Sequence, residues 1–130
     1  MTGKRPMVIR EADTELDVSG TPEELRAVAH ALAGMKLGQS CEFATDTTAD
    51  PAPYTRVLAA FRAVASGGPV RVSVTGDTLL VTGSPEMLTR FASFFAFSDA
   101  DRPGAHRHHE WWEGNEYIAR DSRPLVISRS

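Results

Sequence analysis

Leu16-Asp17-Val18-Ser19-Gly20-Thr21-Pro22-Glu23-Glu24-Leu25 returns 63 positions later as Leu79-Leu80-Val81-Thr82-Gly83-Ser84-Pro85-Glu86-Met87-Leu88. Leu16, Val18, Gly20, Pro22, Glu23 and Leu25 match Leu79, Val81, Gly83, Pro85, Glu86 and Leu88, and further on Ala29 and Ala33 match Ala92 and Ala96. Both copies read the same way. Alternating apolar residues make a strand, a glycine follows, and a hydroxyl residue caps a helix that has proline at its first position, where the missing N–H costs nothing. In the first copy Glu24 stands three residues after Thr21, which completes a capping box.

Working outward, the first helix has an apolar stripe of Leu25, Val28, Ala29 and Leu32 at i, i+3, i+4, i+7, and Gly34 or Gly38 can end it. Met7-Val8-Ile9-Arg10 and Glu15-Leu16-Asp17-Val18 form a hairpin before it, with Leu16 and Val18 on one face. Ser40 to Thr45 is a third strand, and Asp46 to Pro53 is a loop. From Tyr54 to Ala65 two patterns compete: Val57, Leu58, Phe61 and Val64 suit a short helix, whereas Phe61, Ala63 and Ala65 alternate. The second half is read as strand. Val70, Val72 and Val74 alternate with Arg71, Ser73 and Thr75, and Gly76-Asp77 turns the chain into Thr78 to Thr82. The second helix repeats the stripe as Leu88, Phe91, Ala92 and Phe95. Met87, Phe94 and Phe97 widen its apolar arc, so a second covering surface is required: the tail, the first helix or another subunit. Short extended segments follow at Tyr117-Ile118-Ala119 and Leu125-Val126-Ile127-Ser128.

These elements predict an α+β fold, an antiparallel sheet with two helices packed on one face. It is built from two pseudo-repeated strand–strand–helix units, about 7–46 and 69–98, with a strand-rich tail at 105–130. The 130 residues make a single domain, 1–130. A net charge of −3 leaves no basic footprint, so nucleic acid is not an expected partner. Glu11, Asp13, Glu15, Asp17, Glu23 and Glu24 follow one another with no base among them, which suits a solvated edge or a basic partner. Cys41 is alone and reads as a small core residue. No apolar signal core or membrane-length run is present, and the expected location is the cytoplasm.

Chemistry-bearing residues concentrate after the second helix. In an extended His106-Arg107-His108-His109-Glu110, His106 and His108 project to one side, as a transition-metal site needs. The other ligands are missing, with only His30 left elsewhere, so no cofactor or metal is expected and a partly exposed edge segment explains the run. Trp111-Trp112-Glu113-Gly114-Asn115-Glu116-Tyr117 holds both tryptophans. They are either a lid on the wide arc of the second helix or anchors for a partner. Glu110, Glu113 and Glu116 offer carboxylates for acid–base work, but no feature converges two of them. No G-x-S-x-G elbow occurs, and the glycines before the two helices cap them rather than cradle phosphate.

Val72 to Leu88, followed by His108-His109-Glu110, Gly114-Asn115, Tyr117-Ile118-Ala119 and Ser122-Arg123-Pro124-Leu125-Val126-Ile127, resembles a family of bacterial immunity proteins of polymorphic toxin systems, the one numbered thirty-two. The resemblance covers most of the chain, and the His-Glu…Tyr…Ser-x-Pro-Leu tail is its distinctive part. It implies a non-enzymatic protein that binds and neutralises a cognate protein toxin, and it carries no established binding residues. The expected partner surface is Trp111, Trp112, Glu113, Glu116 and Tyr117, with the acidic hairpin Glu11 to Asp17 as a further contributor. Two alternatives stand beside it. One is a metal- or small-ligand-binding domain using His106, His108, His109 and Glu110. The other is a homodimeric structural module joined through Met87, Phe94 and Phe97. In each case the half in which the two copies differ should hold the site.

Overall fold

The computed structural model describes residues 7–130. Strand β1 (Val8–Glu11) turns into β2 (Leu16–Gly20), and helix α1 runs from Pro22 to Ala33. Thr21 Oγ1 accepts from the Glu24 N–H and Glu24 Oε1 from the Thr21 N–H, so the expected capping box is formed, and Gly34 ends the helix. Then follow β3 (Ser40–Phe43), the two-residue β4 (Arg56–Val57) and β5 (Ala60–Ala65). The strand reading of the second half of 54–65 therefore holds. β6 (Arg71–Thr75) and β7 (Thr78–Gly83) meet at Gly76, whose φ of +62° supplies the left-handed geometry that the tight turn demands. Helix α2 (Pro85–Ala92), capped by Ser84, passes into a 3-10 turn at Ser93–Phe95. β8 (His106–His109) and β9 (Leu125–Arg129) finish the chain.

Two sheets form instead of the single antiparallel one expected. One has the order β4-β1-β2-β9-β8, the other β3-β5-β7-β6. Each is built around a hairpin, β1–β2 or β6–β7, that recruits a distant strand in parallel: Leu16 to Gly20 lies beside Leu125 to Arg129, and Thr78 to Gly83 beside Ala60 to Ala65. An antiparallel strand then closes each outer side, β8 on β9 and β3 on β5. The error has a physical origin. Apolar alternation says which face of a strand is buried but not which strand lies beside it, and parallel pairing requires a long crossover that leaves no local signature. Tyr117 to Ala119 is also not a strand. Ile118 makes a single bridge to Val70, and the segment runs along β6 through the Val70 N–H to Tyr117 O (2.8 Å) and the Ala119 N–H to Val70 O (2.7 Å).

The core joins both sheets and both helices. Leu25, Val28 and Leu32 of α1 and Leu88, Phe91 and Phe95 of the second helical segment are all buried, with Ile9, Leu16, Val18, Phe61, Leu79, Val81, Leu125 and Ile127 from the strands. Helix α1 packs directly on α2. The repeated glycines end strands rather than make turns. A Cβ on Gly83 would lie 3.3 Å from the Val70 Cα, so glycine there lets the chain entering β6 pass close by. No helix among the described residues is long and apolar enough to cross a membrane.

Candidate partner-binding surface

The tail from Trp111 to Tyr117 is a built turn. Gly114 has a φ of +88°, the Asn115 N–H donates to Trp112 O (3.0 Å), and Asn115 Oδ1 accepts from the N–H groups of Tyr117 (2.7 Å) and Ile118 (3.0 Å). Beyond it Ile118 and Ala119 are buried. Ser122 Oγ receives the Val72 N–H at 2.8 Å, and Arg71 pairs with Asp121 at 2.8 Å. The aromatic turn thus stands on a firmly tied base. Trp112 is 60% exposed and Tyr117 43%, and Trp111 is half-buried. The Arg90 guanidinium of α2 lies 4.0 Å over the Tyr117 ring, and Arg120 lies 5.4 Å from the Trp111 ring. Glu113 and Glu116 are exposed on the same turn.

His109, 2% exposed, lies against the second helical segment with its ring edge-on to Phe91 (4.7 Å) and Phe94 (4.9 Å). Arg107 lies there as well. Its guanidinium lies 4.3 Å over Phe97 and donates to the carbonyls of Ser93 (2.8 Å) and Ala96 (3.2 Å), which seals the end of the helical segment. Met87 and Phe94 are half-buried and Phe97 is buried within the chain.

The histidine run divides by strand alternation. His106 and His108 share the outer face of β8, with ring centroids 5.1 Å apart, and His109 points the other way, into the core. His109 cannot join the other two in one site. Among the described residues, no three or more of His, Cys, Asp and Glu are grouped to hold a metal ion. Burial lowers the His109 pKa to about 4, so the ring is neutral at pH 7, and among the described residues its Nδ1 has no hydrogen-bond partner. Cys41 is half-buried with its thiol 3.7 Å from the Met35 sulfur, and burial pushes its pKa up.

The acidic hairpin turns inward on the chain. Glu11 accepts from Arg56 (2.6 Å) and Arg123 (2.9 Å), Glu15 from the Tyr54 hydroxyl (2.5 Å), and Asp17 from the Ser128 hydroxyl (2.8 Å). Burial raises the Glu11 carboxyl, but the two arginine hydrogen bonds outweigh it and hold the group below its usual value. For Asp17 burial dominates and the pKa rises. Three of the hairpin's carboxylates therefore tie its own sheet and loops together.

Arg90 and Arg120 escaped the sequence reading, as did Arg107 and Arg123. Arginine beside tryptophan and tyrosine is the composition of interface anchors, so Arg120 was within reach of inspection. Arg90 reaches Tyr117 only through the fold. No curated protein and no solved structure matches the chain. Residues 78–130, from β7 through α2 to the end of the tail, match the model of the family described as Immunity protein 32.

Proposed function

We propose that this chain acts as a single non-enzymatic domain that binds and neutralises a cognate protein toxin in the bacterial cytoplasm. One observation carries the reading: the stretch that matches the immunity family also holds the exposed Trp112 and Tyr117 with Arg90 stacked on Tyr117. Trp111, Trp112, Glu113, Glu116 and Tyr117 form the contact surface. The rings fill pockets on the toxin, and the two exposed carboxylates favour basic groups at the rim. The two strand–strand–helix units, about 7–46 and 69–98, serve as a duplicated scaffold that displays the tail. The test is co-expression with a toxin-like gene, which this reading expects beside its own. Rescue of growth and a complex on size-exclusion chromatography are expected, and the absence of both overturns the reading.

A further inference from the structure

Strand β8 carries two imidazoles on one face. His106 and His108 are both exposed, with ring centroids 5.1 Å apart at an interplanar angle of 78°. The backbone beneath them is fixed. All of β8 pairs with β9, and Arg107 between the two histidines is tied on the opposite face to the carbonyls of Ser93 and Ala96 and to the Phe97 ring. His106 is also oriented. Its Nδ1 lies 3.2 Å from Gly104 O. A carbonyl only accepts, so Nδ1 carries a proton, and in the neutral ring Nε2 keeps its lone pair free. A carbonyl that holds the other ring nitrogen in this way is the usual support of a metal-bound imidazole.

The spacing fits one shared ion. Two imidazoles bound to a metal at about 2.1 Å, with a bond angle of about 90–110°, hold their ring centres about 4.5–5.2 Å apart. The rings of His106 and His108 stand at such a separation in solvent, where each can turn about its Cβ–Cγ bond to aim its nitrogen. The local charge suits a cation. Glu15 and Glu110 line a hollow of about 40 Å³ beside His108, and Asp17 lies in the same register row as His108, across Val126. Arg10 is 4.0 Å from Asp17, and on the other side of His106 Arg102 stands with Asp101. The carboxylates thus outnumber the guanidiniums. Among the described residues no third ligand joins the pair, so the other coordination positions fall to water, as in metal sites that keep open positions.

We propose that His106 and His108 chelate one divalent transition-metal ion of the zinc and copper class on the outer face of β8, with water in its remaining positions. A closed site would need further protein ligands. A two-imidazole chelate needs neither His109, which points into the core, nor His30 on α1. Imidazole nitrogen selects zinc, nickel or copper over magnesium and calcium, which prefer oxygen. The site does not depend on the role of the aromatic turn.

The probe is zinc ion alone, added to the full chain without a histidine tag and followed by calorimetry and by nitrogen NMR of the imidazoles. One ion binds per chain. The Nε2 resonances of His106 and His108 move, and those of His30 and His109 stay in place. His106→Ala and His108→Ala each weaken binding by about tenfold or more, because the chelate loses one of its two ligands. Both rings are exposed, so neither variant shifts the unfolding midpoint. His30→Ala leaves the affinity unchanged, and excess magnesium does not displace the zinc. No binding at about 1 mM zinc, an affinity unchanged in both β8 variants, or one ion shared between two chains overturns the proposal.

Discussion

The ring of His109 stands edge-on to the ring of Phe94, 4.9 Å away at an interplanar angle of 88°. A titratable group has been built into the aromatic packing that closes the second half of the core, in a register position where the other sheet carries Phe43.

A pH dependence follows. Burial lowers the His109 pKa to about 4 from an unfolded value near 6.5. The unfolded chain therefore binds the extra proton first. The stability tied to a neutral His109 is complete above about pH 6.5 and is lost as pH falls toward about 4, for a total of about 3 kcal/mol. His109→Phe removes this loss. Melting temperatures at pH 7 and pH 5 should converge in the variant and diverge in the wild type. Asp17, raised by burial, acts in the opposite sense, and comparison of the two proteins cancels it. An equal pH dependence in both would refute the assignment to His109.

Arg123 joins the end of the tail to the first hairpin through Glu11 (2.9 Å) and the Ala12 carbonyl (2.8 Å). Arg123→Ala should cost about 2 kcal/mol, measured by urea unfolding, because it removes charge-assisted hydrogen bonds from a half-buried group. Glu11 is held below its usual pKa, so its contribution is present above the ordinary carboxylate value and disappears as pH falls through the lowered one. The cost of Arg123→Ala should accordingly shrink in acid. A loss that stays constant down to pH 3 would contradict this.

Trp112→Ala and Tyr117→Ala remove exposed rings and should leave the unfolding midpoint unchanged. Each should weaken toxin binding by about tenfold to a hundredfold in calorimetry. Arg90→Ala should produce a smaller loss through Tyr117, whose ring it covers. Variants that lose binding only in step with stability would remove the tail from the interface.

The two helix starts provide a control. Thr21→Ala removes the hydrogen bond from the Glu24 N–H at 3.1 Å and leaves its reciprocal partner, from the backbone N–H of residue 21 to Glu24, to hold the box alone, whereas Ser84→Ala removes a single unreciprocated bond from the Met87 N–H at 3.2 Å. Each should destabilise by about 1 kcal/mol, with Thr21→Ala the larger. Chemical denaturation of the two variants decides the order.

Features that depend on near neighbours were legible without the fold. Thr21 with Glu24, Pro22 and Pro85, the stripes Leu25-Val28-Leu32 and Leu88-Phe91-Phe95, and the alternation of Val70 and Val72 all lie within a turn or a few strand residues of one another. Local hydrogen bonding and periodic burial dictate them. The resemblance carried by the tail was legible as well, and the family match begins at Thr78.

Tertiary structure alone decided the partners across distance. Leu16 lies beside Leu125, Phe61 beside Leu79, Arg90 over Tyr117 and Glu11 against Arg123. Periodicity fixes which face a residue presents but not which segment meets it. That choice comes from the packing of whole elements, where the burial of apolar faces outweighs any single contact. The same packing turned His109 inward, away from His106 and His108. It also spent the acidic hairpin on internal ties.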